Sequence, residues 1–178
     1  MRLPAVLSCL VLSCLVVVAE AGETRYRLTE TNTKIDFTGT KPGGRHDGGF
    51  KRVGGVIILA DGLEPQVDVE IDCSSLHSDN FLLTWHLKGA DFFNVKKHPK
   101  ARFTSTSVRR TETGYAVTGN LTFLGVTRPV NFPATLTTGE TVRLRGTVVL
   151  NRHEFGMTYG KDKIHDDVEV RFDVNAAR

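Results

Sequence analysis

The six histidines are the residues of this chain best suited to metal binding or acid–base chemistry. No two of them are separated by two or four positions, the spacings that place a pair of ligands on one face of a strand or helix. His153-Glu154 begins like the H-E-x-x-H zinc motif, but no second histidine follows it. The sequence therefore indicates neither a catalytic centre nor a metal site, while a metal site assembled from distant strands stays open.

A glycine-rich basic segment, residues 41–52, could instead bind an anion. It reads KPGGRHDGGFKR and contains four glycines. Backbone amides of such loops can receive a phosphate, and Lys41, Arg45, His46 and Lys51 would add positive charge. We therefore predict a loop at the mouth of a binding site, where a pyrophosphate or carbonyl headgroup could lie. A solvated hairpin loop without a ligand is the simpler alternative.

The three cysteines of the chain do not indicate a redox function. Two of the three cysteines lie within the first 21 residues and Cys73 is the third, so residues 22–178 can form no internal disulfide. Cys73 directly follows the strand-like residues 67–72. We interpret it as a small residue near a strand end.

The first 21 residues have the pattern of a secretory signal peptide. Arg2 supplies the positive charge, residues 5–19 are largely apolar, and Ala19-Glu20-Ala21 fits the small-x-small cleavage rule. We predict cleavage near Ala21-Gly22 and a periplasmic or secreted protein. A retained membrane anchor and lipidation of Cys14 are the alternatives.

Residues 22–178 are enough for one domain with a sizeable core. The formal net charge is +3, and lysine and arginine are spread along the chain without a basic run. This charge distribution does not predict a nucleic-acid partner.

Alternating apolar and polar residues dominate the chain after residue 21. Val67, Val69 and Ile71, for example, alternate with polar residues, as expected for a half-buried strand. The same pattern recurs in segments separated by glycine-containing turns. The sequence predicts about eight strands with one helical interruption near residues 80–94, which favours an all-β sandwich or a closed barrel.

The helical interruption leads into an aromatic pair and then a strand. Leu83 and Leu87 recur with helical spacing, and Gly89 lies where a helix end often needs a positive φ. Phe92-Phe93 follows, and His98-Pro99 disfavours further helix. We predict a helical plug, an aromatic anchor, and a strand that begins near residue 100.

These segments carry a family resemblance. Residues 86–108 and 114–130 resemble the YceI family of polyisoprenoid-binding, lipocalin-like proteins; they read HLKGADFFNVKKHPKARFTSTSV and GYAVTGNLTFLGVTRPV. The resemblance extends from about Tyr26 to Ala176. It implies an extended antiparallel eight-stranded lipocalin-like β-barrel with a short helical segment over one end, periplasmic or secreted, that holds a long isoprenoid chain. It implies no catalytic residues and no cofactor besides that lipid.

In such a barrel, the inward residues of the alternating strands would line a tunnel for the lipid tail. We expect this lining to include Ile35, Phe37, Val69, Phe103, Leu121, Phe132 and Val148, and the helical plug to add Trp85, Phe92 and Phe93. The inward positions contain no Asp, Glu, Lys or Arg, which suits an apolar ligand because unpaired buried polar groups are costly. The same residues could instead form a dry, packed core.

Three functions therefore compete. The first is a carrier or sequestering protein for a polyisoprenoid such as a quinone or a polyprenyl phosphate. The second is a stress-response or interaction barrel filled by its own side chains, and the third is a small hydrolase or metal-dependent enzyme. We favour the first, with no enzymatic activity and a long apolar lipid as partner. Transient membrane contact and a homodimer are further partner hypotheses.

Overall fold

The computed structural model describes residues 22–178. The predicted signal peptide, with Cys14, lies outside the described residues, so its cleavage and lipidation stay predictions. The strands are β1 (Glu23–Leu28), β2 (Thr33–Lys41), β3 (Gly44–Phe50), β4 (Val53–Ala60), β5 (Gln66–Asp72), β6 (Leu76–Ser78), β7 (Lys100–Arg110), β8 (Tyr115–Phe123), β9 (Val126–Thr137), β10 (Thr141–Asn151) and β11 (Asp167–Ala177). The helix α1 (Phe81–Lys88) lies between β6 and β7, and two short 3-10 helices span Cys73–Ser75 and Arg152–Phe155. In this part of the chain, no helix has both the length and the apolarity needed to cross a membrane.

The eleven strands form one antiparallel sheet in the order β1-β4-β5-β7-β8-β9-β10-β11-β2-β3-β6. They follow eight paths around a barrel, because three pairs of strands are consecutive parts of one path. β3 passes into β4 through Lys51-Arg52 and β5 passes into β6 through the first 3-10 helix, and the Asp72 amide donates to the Arg52 carbonyl (3.0 Å) across this break. β1 and β2 pair with successive halves of the β3–β4 path. The sheet therefore closes on itself, and the predicted all-β, eight-stranded barrel is confirmed.

The predicted alternation is also confirmed in the barrel wall. In β2, the side chains of Thr33, Ile35 and Phe37 are buried, whereas Lys34 and Asp36 are exposed. Burying one large apolar side chain is worth roughly 1.5–3 kcal/mol, and a slip of one residue would turn every such side chain outward. The hydrophobic pattern therefore sets the register of each strand.

The prediction of one long loop at residues 41–52 is wrong, and the structure agrees with the hairpin of the alternative interpretation. β2 and β3 form a hairpin there, joined by Pro42-Gly43, where Gly43 has a φ of 74°. Gly48 lies inside β3, and a side chain at this position would collide with the ring of Phe37 and the carbonyl of His77. The glycines of β3 thus permit close packing of neighbouring strands, so their number did not mark a loop.

The helix α1 is shorter than the predicted helical segment. Asn80 caps its N-terminus, because the side-chain Oδ1 accepts a hydrogen bond from the Leu83 amide at 3.0 Å. The predicted positive φ at Gly89 is wrong, since this residue has a φ of −71°. The left-handed conformation occurs instead at Asn94, with a φ of 40°, in the turns that lead to β7.

Three phenylalanine rings on the barrel wall lie over glycines of a neighbouring strand. The pairs are Phe37 over Gly48, Phe103 over Gly119 and Phe172 over Gly146. The first and third pairs are direct cross-strand partners. Because the glycines have no side chain, each ring can lie along the wall instead of pointing into the interior.

Gly119→Ala is expected to lower the free energy of unfolding by about 1–3 kcal/mol, as overpacking does in other cores. The reason is that the new Cβ would lie 2.5 Å from both the Phe103 ring and the Thr104 carbonyl oxygen. Gly39→Ala is the matched control, because nothing lies within 4 Å of a Cβ added to this strand residue. Urea denaturation of both variants measures the difference, and equal stabilities would contradict the ring–glycine contact.

Candidate functional site

The barrel contains an apolar cavity of about 520 Å³. This volume is in the range of small-molecule binding sites. Its wall is built from the inward residues of β2, β3, β5 and β7 to β11, and α1 and the loop of residues 156–166 contribute at one end. A space of this size, bounded almost entirely by hydrocarbon, can accept an apolar ligand without leaving polar groups unpaired.

Nine of the ten residues predicted to line a tunnel are on the cavity wall. They are Ile35, Phe37, Val69, Phe92, Phe93, Phe103, Leu121, Phe132 and Val148. Sequence alternation found the seven that lie on strands, because a barrel wall separates an apolar interior from solvent at every second residue. Phe92 and Phe93 were predicted instead from the aromatic pair that follows the helix. Their contact with a lipid stays a prediction.

Trp85 is the exception, and its predicted place in the lining is wrong. Its side chain is 75% exposed and lies on the outer face of α1. The inner face of this helix presents Leu83 and Leu87 to the cavity. Trp85 lies two residues from each of them, which on a helix is about 200° around the axis. The helical spacing of the two leucines therefore already placed Trp85 on the opposite side.

Aromatic rings in tilted or edge-on contact form two groups on the cavity wall. Around the middle, the ring of Phe132 lies 5.5 Å from that of Phe103 and 5.3 Å from that of Phe172. Nearer to α1, the ring of Phe93 lies 6.0 Å from Phe37 and 5.2 Å from Phe123. Such contacts are worth about 0.5–1.5 kcal/mol each beyond area burial, so they make the wall rigid around the space that it encloses.

Three elements meet at the polar end of the cavity, which we call the mouth. Lys41 and His46 come from the β2–β3 hairpin, His86 from α1, and Tyr159 and Lys163 from the loop of residues 156–166. The rings of His86 and Tyr159 meet edge to face at 5.1 Å, which joins the helix to the loop. Polar groups gather here because these positions reach solvent.

Each of the two mouth histidines lies beside a carboxylate. His46 Nδ1 lies 3.2 Å from an oxygen of Asp79, and His86 Nε2 lies 3.1 Å from an oxygen of Asp91. Lys41 and Lys163, in contrast, form no ion pair with any residue in the range 22–178 and are exposed. The two lysines are therefore the cations of the mouth that are free to meet an anionic group.

Two other cations that were predicted for the mouth lie outside it. Arg45 points away from the cavity, because it alternates with His46 along β3, and its Nε lies 3.4 Å from a carboxylate oxygen of Asp47. Lys51 lies in the break between β3 and β4 and is exposed. A hydrogen bond from the Thr38 hydroxyl, at 2.6 Å, lowers the pKa of Asp47, which keeps this outward carboxylate charged beside Arg45.

A buried arginine, Arg152, lies beneath the mouth, and the sequence analysis did not identify it. Arg152 is only 4% exposed, although its side chain is charged. The guanidinium donates to Asp166 Oδ1 (3.2 Å) and to four backbone carbonyls, those of Tyr159 (2.6 Å), Met157 (2.9 Å), His165 (3.1 Å) and Ile164 (3.2 Å). The planar fork of arginine suits such multiple donation. Arg152 therefore fixes the loop that forms one side of the mouth.

The histidines do not assemble a metal site in the described part of the chain. No group of three or more His, Cys, Asp or Glu side chains converges within residues 22–178. His153-Glu154 lies in the short 3-10 helix Arg152–Phe155, where the spacing of a zinc-binding α-helix does not apply.

Cys73 is buried at the end of β5, as its interpretation as a small residue near a strand end required. Burial raises the pKa of its thiol to about 11. We expect iodoacetamide to modify Cys73 at pH 8 at least about tenfold more slowly in the native protein than in urea, because the reactive thiolate is scarce and shielded. Peptide mass spectrometry measures this ratio.

The same shift affects stability at high pH. A thiol whose pKa is raised in the folded state favours folding below its unfolded pKa, and the folded state loses this advantage as the pH rises above that value. Cys73→Ala is therefore expected to reduce the loss of stability between neutral and strongly alkaline pH. Equal modification rates in native protein and urea would contradict the burial of Cys73.

Comparison with known proteins agrees with the barrel. A model described as a YceI-like domain matches residues 26–176. A UPF0312 protein of Serratia proteamaculans is 32% identical over 139 residues, which cover 74% of this chain and 70% of that protein. A UPF0312 protein of Pseudomonas putida is 40% identical over 100 residues and covers 52% of each chain, so the match spans about half the length of this relative.

Solved structures of low sequence identity share the fold. Burkholderia cenocepacia BcnA superposes with a TM-score of 0.76 at 23% identity and covers 82% of this chain and 96% of its own. A polyisoprenoid binding domain from Saccharophagus degradans gives a TM-score of 0.65 at 12% identity, with 86% and 97% coverage. With a family model that matches nearly all the described residues and a relative that covers most of the chain, this protein belongs to the YceI family.

Proposed function

We propose that this protein binds a long-chain polyisoprenoid, of the quinone or polyprenyl-phosphate type, and carries or sequesters it in the periplasm without catalysing a reaction. The observation that carries this proposal is the apolar cavity of about 520 Å³. The polyisoprenoid binding domain of Saccharophagus degradans, which shares the fold, supports the choice of ligand. The proposed compartment depends on the predicted signal peptide.

The length of the barrel strands and the apolar lining of the cavity favour a linear hydrocarbon. A strand of ten residues extends roughly 33 Å, which is the length scale of an extended polyprenyl tail. Each methylene removed from water contributes about 0.8 kcal/mol, although immobilising the chain offsets much of this gain. Phe132, Phe103 and Phe172 offer the tail an aromatic wall, where a polar ligand would find no partner.

The mouth suits the polar end of such a lipid. Lys41 and Lys163 are exposed at the cavity entrance without ion-pair partners in the described range, so they can approach a phosphate or a quinone carbonyl. Charge-assisted hydrogen bonds to phosphate are stronger than neutral bonds to a carbonyl. A phosphorylated polyprenol should therefore depend on these lysines more than a quinone does.

The lysine pair can be tested with a matched control. Lys41→Gln with Lys163→Gln should weaken binding of a polyprenyl phosphate about tenfold and change quinone binding little. Arg45→Gln with Lys51→Gln removes the same charge from positions off the cavity and should change neither affinity. Titration of delipidated protein measures the four affinities, and equal losses in both double variants would contradict the headgroup site.

The proposal itself is tested by the lipid that accompanies the protein. Full-length chain expressed in a Gram-negative host and purified without detergent should release a polyisoprenoid into organic solvent, as identified by mass spectrometry. A barrel filled by its own side chains would release none and would not take up added quinone. Sequencing of the N-terminus of the same preparation tests cleavage near Ala21-Gly22.

A further inference from the structure

We propose that the outer face of α1 is a docking surface for an anionic lipid bilayer. Phe81, Leu82 and Trp85, which we call the α1 patch, are 82%, 74% and 75% exposed. In the docked state, these side chains would enter the interfacial region of the bilayer while the barrel stays in water.

The geometry of α1 separates the patch from the cavity. Successive residues of a helix turn by about 100°, so Phe81, Trp85 and Lys88 share one side, with Leu82 next to them. Leu83 and Leu87 lie on the other side and line the cavity. The helix is thus apolar on both faces. The inner face is explained by the barrel, but no part of the described chain covers the outer one.

The size of the patch argues against a second copy of the chain as its partner. Aromatic side chains offer roughly 150–250 Å² each, so at these exposures the two rings present about 250–400 Å². A stable protein interface needs about 800 Å² from each partner. A bilayer needs no such matched surface, because each inserted side chain gains its transfer free energy independently. Tryptophan in particular favours the membrane–water interface.

The charges around the patch complement an anionic surface. The lysines near it are Lys88 on α1, Lys41 on the hairpin, and Lys161 and Lys163 on the loop of residues 156–166. None of the four forms an ion pair with another residue of the range 22–178. Of the nearby carboxylates, Asp79 and Asp91 face histidines and Asp166 pairs with Arg152, which leaves Asp162 as the acidic residue of the loop without such a partner in the described range. Lysines close to an anionic membrane strengthen its attraction for the protein.

Docking through this face would also bring the mouth to the membrane. α1 contributes His86 to the mouth and the patch to the outer surface, so the two are one helix thickness apart. This consequence rests on the proposed function, because a lipid carrier has to exchange its ligand with a bilayer. The docking surface itself rests on exposure, geometry and charge alone.

Trp85 provides a direct test, because it is the single tryptophan of the chain. Its emission comes from an exposed indole and should shift to shorter wavelength when vesicles of phosphatidylethanolamine and phosphatidylglycerol are added to the purified full-length protein. Vesicles of phosphatidylcholine alone should produce a smaller shift. Bromine-labelled lipids should quench the emission if the ring enters the interface.

A matched pair of variants separates the patch from general hydrophobicity. Phe81→Ser with Leu82→Ser retains Trp85 as the reporter and should weaken vesicle partitioning at least about tenfold. Leu63→Ser removes another exposed leucine, 65% exposed and outside the patch, and should leave partitioning unchanged. All substituted residues are exposed, so thermal unfolding should stay close to that of the parent protein.

The outcomes distinguish docking from the lipid-binding proposal. Absence of an emission shift and of quenching would overturn the docking surface, even if a polyisoprenoid is extracted from the protein. Docking without any extractable lipid would retain the surface and reject the carrier function. A dimer in sedimentation that the double variant dissociates, or an emission already blue in a monomer without vesicles, would show that protein covers the patch and would overturn the inference.

Discussion

Phe132→Arg is expected to lower the free energy of unfolding by about 3–5 kcal/mol and to abolish retention of an apolar ligand. Phe132 is 8% exposed on the cavity wall, between the rings of Phe103 and Phe172. The substitution removes both ring contacts and places a charge where no described residue of the wall offers a carboxylate partner. Urea denaturation and mass spectrometry of solvent extracts measure the two effects.

The neighbouring residue provides the control. Asn131 is exposed on the same strand, so Asn131→Arg introduces the same charge on the outside of the barrel and should change stability by less than about 0.5 kcal/mol. Phe132→Leu keeps the site apolar and should retain ligand if the arginine variant fails to fold. A destabilised Asn131→Arg together with a stable Phe132→Arg would reverse the register of β9.

Arg152→Met should cost about 3–5 kcal/mol, which is typical when one partner of a buried charged network is removed. The substitution leaves the carbonyls of Met157, Tyr159 and Ile164 without their donor. We expect the loop of residues 156–166 to open locally before the barrel unfolds, because the barrel strands do not depend on these bonds. Hydrogen exchange of the loop amides should then accelerate while that of β8 and β9 stays slow.

Two further substitutions test whether the planar guanidinium of Arg152, and not its charge alone, holds the loop. Arg152→Lys keeps the charge but not the planar set of donors, so it should recover little of the lost stability. Arg128→Met removes an exposed arginine that donates to the carbonyl of Glu154 at 3.3 Å, and it should have almost no effect. Unchanged exchange of the loop in Arg152→Met would contradict the proposed role of this residue.

Sequence reasoning recovered the wall of the barrel because each strand faces two different environments. Ile35 and Phe37 alternate with Lys34 and Asp36, and burial follows that alternation residue by residue. Strand β3 was not predicted because it contains three glycines, which hide any apolar alternation. Had β3 been recognised as a strand, alternation would also have separated the inward His46 from the outward Arg45.

Trp85 was placed wrongly and Arg152 was missed for different reasons. Trp85 could have been placed on the outside from its spacing to Leu83 and Leu87, but an aromatic residue beside an apolar region was assumed to be buried. Arg152 carried no local signal. Its acceptors come from a turn 5 to 14 residues away, whose folded path cannot be read from periodicity.

The ring-over-glycine pairs suggest how a fold of this kind can be hollow or solid with few sequence changes. Where a glycine faces a phenylalanine on the adjacent strand, the aromatic ring can lie flat against the barrel wall and leave the interior empty. We expect that a larger residue at Gly48, Gly119 or Gly146 would tip its aromatic partner toward the axis and fill part of the volume. The residues at those three positions would then distinguish relatives that have an open cavity from relatives whose interior is filled by side chains.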